Sequence, residues 1–275
     1  MYRFYFNCHR WKPTREQWLF ANRCLPINEL KRIDEYVYQR DVKFTLIGQL
    51  LIRYLLSQVF HKKSSSFILQ RTKYNRPFIE ILPSFDFNLS HYHQLVCIAG
   101  TFHGKIGCDT MIYKKENHIQ KLNYNLIYKK FTLNEYNYII NNPSNFYRLW
   151  CLKESYIKWL GIGINYNLLK LNFYINTNEF NYNNNIISDT NLIINNKLIT
   201  NKLRFDEQII FLSDNNNNNE QQIITLCLLM NNHCQSFVEL NIDDILHGCT
   251  PFDNNKEDNL ISWERFQMKR QTDII

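Results

Sequence analysis

The chain has 275 residues with 32 Lys+Arg against 25 Asp+Glu, a formal net charge of +7, and 45% hydrophobic and 15% aromatic residues. A chain this long and this apolar buries roughly 70–75% of its unfolded surface, which excludes wholesale disorder. No apolar run reaches the roughly 18 residues of a membrane span. The start Met1-Tyr-Arg-Phe-Tyr-Phe-Asn-Cys-His-Arg-Trp11 lacks the basic flank and apolar block of a secretory signal, so a cytosolic protein is expected. The positive balance favours an acidic partner or a phosphorylated ligand, without the dense Lys/Arg stripe of a nucleic-acid binder. Eight cysteines at 8, 24, 97, 108, 151, 227, 234 and 249 contain no C-x-x-C, which predicts reduced structural thiols. The 37 asparagines concentrate beyond residue 117, and the run Asn215–Asn219 reads as an exposed loop insertion.

Residues 43–60 carry apolar side chains at 46, 47, 50, 51, 54, 55 and 59, helical spacing over four turns. Gly48 inside that helix costs about 1 kcal/mol relative to Ala and predicts close packing there. His61-Lys-Lys-Ser-Ser-Ser66 ends it, and strand-like runs follow at 67–71, 77–82, 85–90 and 95–102. The second half repeats the order. A helix at about 146–160 stops at Gly161 and Gly163, and strand-like runs then come near 169–175, 192–199, 208–213 and 222–230. A helix followed by four strands, twice, implies two similar α/β halves, 1–104 and 105–241. Residues 242–275 are a polar tail, packed on the body or partly disordered, with Trp263 and Phe266 as its anchors.

Four segments stand apart from ordinary core and loop. Arg71-Thr-Lys-Tyr-Asn-Arg-Pro77 is a tight basic turn leaving a strand, a phosphate cradle or simply a solvated hairpin. Phe85-Asp-Phe-Asn-Leu-Ser-His91 alternates as a strand and brings Asn88, Ser90 and His91 together, for phosphate or acid–base work or as a hydrogen-bonded sheet rim. His91 and His93 share a strand face, but no third or fourth zinc ligand accompanies them. Lys105-Ile-Gly-Cys-Asp109 places a carboxylate just beyond a glycine in an apolar strand, where it meets a hard cation or forms a plain turn. In Leu149-Trp-Cys-Leu-Lys-Glu-Ser-Tyr-Ile-Lys-Trp-Leu160 the stripe Leu149, Leu152, Tyr156 and Trp159 is core. Glu154 and Lys158 sit i, i+4 on another face, as a site or as a surface ion pair.

Taken in order, R-T-x-x-x-R-P, F-N-L-S-H, I-G-C-D and W-x-x-K-E-S-x-x-K resemble the motif series of the 4′-phosphopantetheinyl transferases. The Sfp type is the nearer one, in particular the eukaryotic aminoadipate-semialdehyde dehydrogenase phosphopantetheinyl transferases. Trp11-x-Pro13…Glu16-x-Trp18-Leu19, Lys31-Arg-Ile…Arg40-Asp41 and Gly48…Leu51-Ile-Arg53 extend the resemblance, which covers about residues 1–175 and returns weakly around 237–263.

The resemblance implies a fold of two α+β halves about a pseudo-twofold axis, with the active site in the cleft between them. It implies transfer of the phosphopantetheine arm of coenzyme A to a serine of apo acyl or peptidyl carrier proteins, releasing 3′,5′-ADP, by a monomer. By motif position, Arg32, Ser90 and His91 would hold the 3′-phosphate, with Lys43 as a further contact. Arg71, Thr72, Lys73, Tyr74, Asn75 and Arg76 would frame the adenine and phosphates, next to Asn88 and Leu89. The helical stretch Glu154, Ser155, Tyr156, Ile157 and Lys158 would face coenzyme A, Lys158 neutralising its diphosphate. Asp109 and Glu154 would coordinate Mg²⁺, and Glu154 is also the candidate general base. Met111 stands where many bacterial members carry a second acid, and Asn75 where a glycine is usual. Asparagine tolerates the left-handed backbone that such a turn needs. Tyr74 replaces a common lysine. A catalytically silent coenzyme A or carrier-binding module is the alternative, against which Asp109, Glu154 and Lys158 together argue. Carrier domains are typically acidic, which suits the positive balance; no nucleic acid or membrane partner is implied.

Overall fold

The computed structural model describes residues 1–80, 84–114, 127–163, 166–177, 186–213, 219–252 and 260–271. The chain opens with strand β1 (Tyr2–Asn7), and helix α1 (Arg15–Arg23) starts at a capping box in which Thr14 and Gln17 satisfy each other's backbone N–H groups. Helix α2 (Ile27–Asp34) leads to the long α3 (Gln39–Phe60), which terminates at His61 in a left-handed conformation, φ 51°. A small hairpin, β2 (Gln70–Arg71) and β3 (Pro77–Phe78), precedes the main hairpin β4 (Asp86–Tyr92) and β5 (Leu95–Thr101). Strand β6 (Ile106–Tyr113) opens the second half. Helices α4 (Leu133–Asn141) and α5 (Asn145–Leu160) follow, the latter closed by Gly161 at φ 73°. After them come β7 (Leu171–Tyr174), β8 (Asn191–Ile194) and β9 (Lys197–Leu198), then β10 (Leu203–Ser213) and β11 (Asn219–Leu229). The chain returns through β12 (Val238–Glu239), α6 (Ile242–His247) and α7 (Leu260–Met268).

Strand order shows the internal repeat. One sheet runs β12-β1-β5-β4 and the other β10-β11-β6. In the first, β5 lies antiparallel between β1 and β4, with Ile98 opposite Phe4 and Leu89. In the second, β11 lies antiparallel between β6 and β10, with Leu226 opposite Cys108 and Asp206. Each half is thus a leading strand, a long helix, a small accessory sheet and a hairpin that pairs back onto the leading strand. The chain is α+β, with two similar halves. The leading strands are the part of this unit that the helix-then-strands reading did not contain.

Side-chain alternation along the central strands accounts for the layering. Val96 and Ile98 of β5 join the cluster around α3, whereas Leu95, Cys97 and Ala99 face Cys108, Ile210, Ile224, Leu226 and Leu228 of the other sheet. Cys227 of β11 turns instead to the cluster under α5. The layers therefore run helix, sheet, sheet, helix, and both faces of β5 are buried. The C-terminal segment is packed on the body, because Leu240, Ile245, Leu246, Cys249 and Phe266 belong to the core around α3. All eight cysteines are free and only Cys234 is exposed. Among the described residues no helix is long and apolar enough to cross a membrane. Most of the asparagine run, 215–218, and the end of the expected 77–82 strand, 81–82, lie outside the described residues.

Candidate active site

The two pseudo-equivalent junctions between the halves differ. At one, β12 pairs with β1 and the backbone N–H of Phe237 donates to Gln208 of β10 at 2.9 Å. At the other, β4 meets β6 through side chains. Alternation puts Asp86, Asn88 and Ser90 on one side of β4. Asp86 Oδ2 accepts from the N–H of Ile106 at 2.9 Å, and Asn88 Oδ1 accepts from the N–H of Cys108 at 2.7 Å. Ser90 donates its hydroxyl to Asp109 Oδ1 at 3.0 Å. A cleft of about 620 Å³ opens over this second junction.

Helix α5 reaches the junction because residue 107 is a glycine. A Cβ there would lie 2.0 Å from the carbonyl oxygen of Ser155 and 2.4 Å from the nitrogen of Trp159, so the helix backbone rests directly on β6. Asp109, two residues along, points to the same face of the strand and meets the side chains of that helix. Lys158 Nζ donates to Asp109 Oδ1 and to Ser90 Oγ, each at 2.7 Å. Burial opposes the charge on Lys158, but the Asp109 carboxylate outweighs it and holds the ammonium above its ordinary pKa. Glu154 lies one turn earlier on the same face, and Trp150, Ile157 and Gly161 line the cleft with it. Burial, followed by the like charge of Asp109, pushes the Glu154 carboxyl above the usual range.

The opposite wall is cationic. Arg32 and Arg71 converge on Glu29, at 3.0 and 3.2 Å, so one carboxylate holds two guanidiniums at the cleft. Arg71 also donates to the carbonyl of Asn75. Asn75 has φ +65°, the left-handed backbone that Asn accepts in place of glycine. Tyr74 lies against Gly163 beyond the end of α5. His91 sits at the rim with its ring 5.5 Å from that of Phe44, and loss of hydration there, with the nearby Lys158 charge, pushes its pKa down. Thr45, Gly48, Gln49 and Ile52 of α3 complete the wall, and a Cβ on Gly48 would touch Leu89 at 3.4 Å.

Of the residues named from sequence, Arg32, Arg71, Tyr74, Asn75, Arg76, Asn88, Leu89, Ser90, His91, Asp109, Glu154, Ile157 and Lys158 line this one cleft. Thr72, Lys73, Ser155 and Tyr156 do not. Thr72 shapes the turn, its hydroxyl accepting from the N–H groups of Tyr74 and Arg76. Lys73 lies over the Tyr74 ring in solvent. Ser155 is fully buried and donates to the Leu152 carbonyl, while Tyr156 belongs to the core, both on faces of α5 turned from Glu154. Lys43 turns inward to the Trp11 carbonyl. Met111 lines the cleft, but as an apolar side chain. Reading the sequence missed Glu29, Asp86 and, around Gly48, which it marked only for close packing, the Thr45, Gln49 and Ile52 face of α3; its signal was small and polar residues at helical spacing inside an apolar helix.

Among the described residues no three His, Cys, Asp or Glu side chains gather as a metal site. Two carboxylates that repel each other beside a cleft do fit a hard cation that keeps waters and takes ligand oxygens.

Two family models cover most of the chain without overlap. The 4′-phosphopantetheinyl transferase N-terminal model matches residues 9–103 and the 4′-phosphopantetheinyl transferase superfamily model matches 105–227. The chain belongs to the 4′-phosphopantetheinyl transferase family. Among its relatives in this family, the L-aminoadipate-semialdehyde dehydrogenase-phosphopantetheinyl transferase of Xenopus laevis is 31% identical over 63% of this chain and 61% of its own length. The Homo sapiens protein of the same name is 32% identical over 62% of this chain and 59% of its own. A 4′-phosphopantetheinyl transferase of Bacillus pumilus is 28% identical over 46% of this chain and 54% of its own. The matched region thus spans about 60% of the length of the animal relatives. The break between the two family models falls at the turn between β5 and β6, so the cleft is built from residues that both models match.

Proposed function

We propose that this protein transfers the 4′-phosphopantetheine arm of coenzyme A to a serine of an apo acyl or peptidyl carrier protein. The observation that carries the reading is the junction itself: Ser90, Asp109, Glu154 and Lys158 gather from three elements at the edge of a cleft whose far wall holds Arg32, Arg71 and His91. A ligand with phosphates at one end and a reacting diphosphate at the other suits that polarity. The guanidiniums and His91 would take the 3′-phosphate, and Lys158 would offset charge on the diphosphate.

In the reaction the carrier serine oxygen bonds to the phosphorus that bears pantetheine, the bond from that phosphorus to the bridging oxygen breaks, and 3′,5′-ADP departs with the bond's electrons. Glu154 takes the serine proton, a role supported by the raised pKa of its carboxyl. Asp109 and Glu154 would hold Mg²⁺, which when bound polarises the diphosphate and stabilises charge on the leaving group. A monomer acting in the cytosol on carrier proteins, with no nucleic acid or membrane partner, completes the reading.

The test is incubation with coenzyme A, Mg²⁺ and an apo acyl carrier protein, followed by intact mass spectrometry. One phosphopantetheine per carrier is expected. Glu154→Gln and Asp109→Ala should each slow transfer by about 10²–10⁴-fold. Binding of coenzyme A without transfer to any of several carriers would overturn the reading.

A further inference from the structure

The basic turn presents Arg71 and Arg76 at either end of one short loop, yet their guanidiniums have different surroundings. Arg71 is held by Glu29 and the carbonyl of Asn75 and faces the cleft. Arg76 is largely buried, and its Nη2 donates to Asp86 Oδ2 at 2.7 Å, the Ile106 carbonyl at 2.8 Å and the Phe87 carbonyl at 3.1 Å. Its Nη1 donates to the carbonyl of Lys158. These four acceptors belong to β4, β6 and α5, so one side chain from the first half touches both second-half elements that carry the carboxylates.

The Lys158 carbonyl lies in the last turn of α5, where the helix ladder supplies no donor, and a cation there also complements the helix dipole. Lys158 is therefore held twice, through its carbonyl by Arg76 and through its ammonium by Asp109 and Ser90. Asp86 extends the arrangement by accepting from both Arg76 and the Ile106 N–H at the start of the strand that bears Asp109.

We propose that Arg76 is a positioning residue, a latch between the halves that sets Lys158 and Asp109 against the cationic wall, and not a contact to the phosphates of the ligand. The chemistry of the side chain supports this assignment. A guanidinium presents five donors in one plane and bridges several fixed acceptors, whereas an ammonium offers three donors from one point. A single-point contact to a phosphate keeps its charge in Arg→Lys, whereas a clamp on four fixed acceptors loses its geometry.

The inference rests on the transferase reading only for its kinetic test, and a second measurement is independent of activity. Arg76→Lys and Arg76→Gln are compared with the unaltered protein for kcat and KM with coenzyme A, for 3′,5′-ADP affinity by calorimetry, and for the rate at which an N-hydroxysuccinimide ester acetylates Lys158. Both variants should lose about tenfold or more in kcat, with KM and 3′,5′-ADP affinity within about threefold. Lys158 should be acetylated several-fold faster, and lysine should not rescue. Unchanged kcat and Lys158 protection in Arg76→Lys would overturn the proposal. So would a tenfold rise in KM at unchanged kcat, which would make Arg76 a ligand contact. Should Arg76→Gln not fold, Arg76→Lys carries the test alone. If the unaltered protein binds 3′,5′-ADP but transfers nothing, the transferase reading fails while the acetylation rate still decides the latch.

Discussion

Gly107 governs how near a helix backbone comes to a strand, and through it how near Lys158 comes to Asp109. The methyl group of Gly107→Ala would fall on backbone atoms of Ser155 and Trp159, which cannot rotate away as a side chain can. The change should cost about 1–3 kcal/mol or more in urea unfolding and lower kcat beyond what lost stability explains. A second residue-level expectation concerns His91. Its pKa in the folded protein lies below the ordinary value of about 6.5, so the ring is neutral at pH 7 and gains a proton only in acid. An anionic phosphate placed beside it raises that pKa, so binding takes up a proton and affinity for 3′,5′-ADP should grow as pH falls from 8 to 6. NMR titration of His91 with and without 3′,5′-ADP checks this, and His91→Asn should flatten the dependence. A titration unmoved by ligand would remove His91 from the phosphate site.

Helix α5 owes its orientation to charges buried on its other faces. Lys153 donates to the carbonyls of Leu168 and Leu171, both at 2.8 Å, and pairs with Glu135 of α4 at 2.8 Å; both side chains are fully buried. Burial pushes the Glu135 carboxyl up and the Lys153 ammonium down, while each partner opposes the shift of the other. Removing one member strands the second, so Glu135→Ala should cost about 3–5 kcal/mol in urea unfolding, and adding Lys153→Leu should recover part of the loss. This buried pair also shows what sequence reveals at the level of elements. Helices α3 and α5 were legible because apolar residues recur every three or four positions and glycine ends the latter. The strand β5 was legible as a short apolar run. By contrast α2 is eight residues with a largely polar surface, and β1 is an aromatic-rich strand whose nearest pairing partner in sequence is Leu95 opposite Asn7, 95 − 7 = 88 positions away. The carboxylates and Lys158 of the site could be picked out by motif, but not the work of Glu29, Asp86 and Arg76. Their roles come from partners that only the tertiary fold brings together.

Across the whole molecule, the two halves meet at two related junctions, and β12 occupies one while the cleft occupies the other. The C-terminal segment completes the first half. Phe266 stacks on Trp18 with ring centroids 4.0 Å apart, and Trp263 lies beside both. Phe266→Ala should therefore cost about 3–5 kcal/mol, read by thermal or urea unfolding, although the residue is far from the cleft in sequence and function. A change below about 1 kcal/mol would mean that the segment is dispensable to the first core. The pairing of Phe4 with Val238 and of Tyr5 with Glu239 has a consequence for how the protein is made. Strand β1 leaves the ribosome well before the neighbour it pairs with, because 238 − 4 = 234 positions separate Phe4 from Val238. At 5–20 residues per second that interval is roughly ten to fifty seconds, during which one edge of β1 has no partner strand. A nascent chain arrested before residue 238 would present that edge to other chains, so the risk of misassembly falls on synthesis and ends once β12 has emerged.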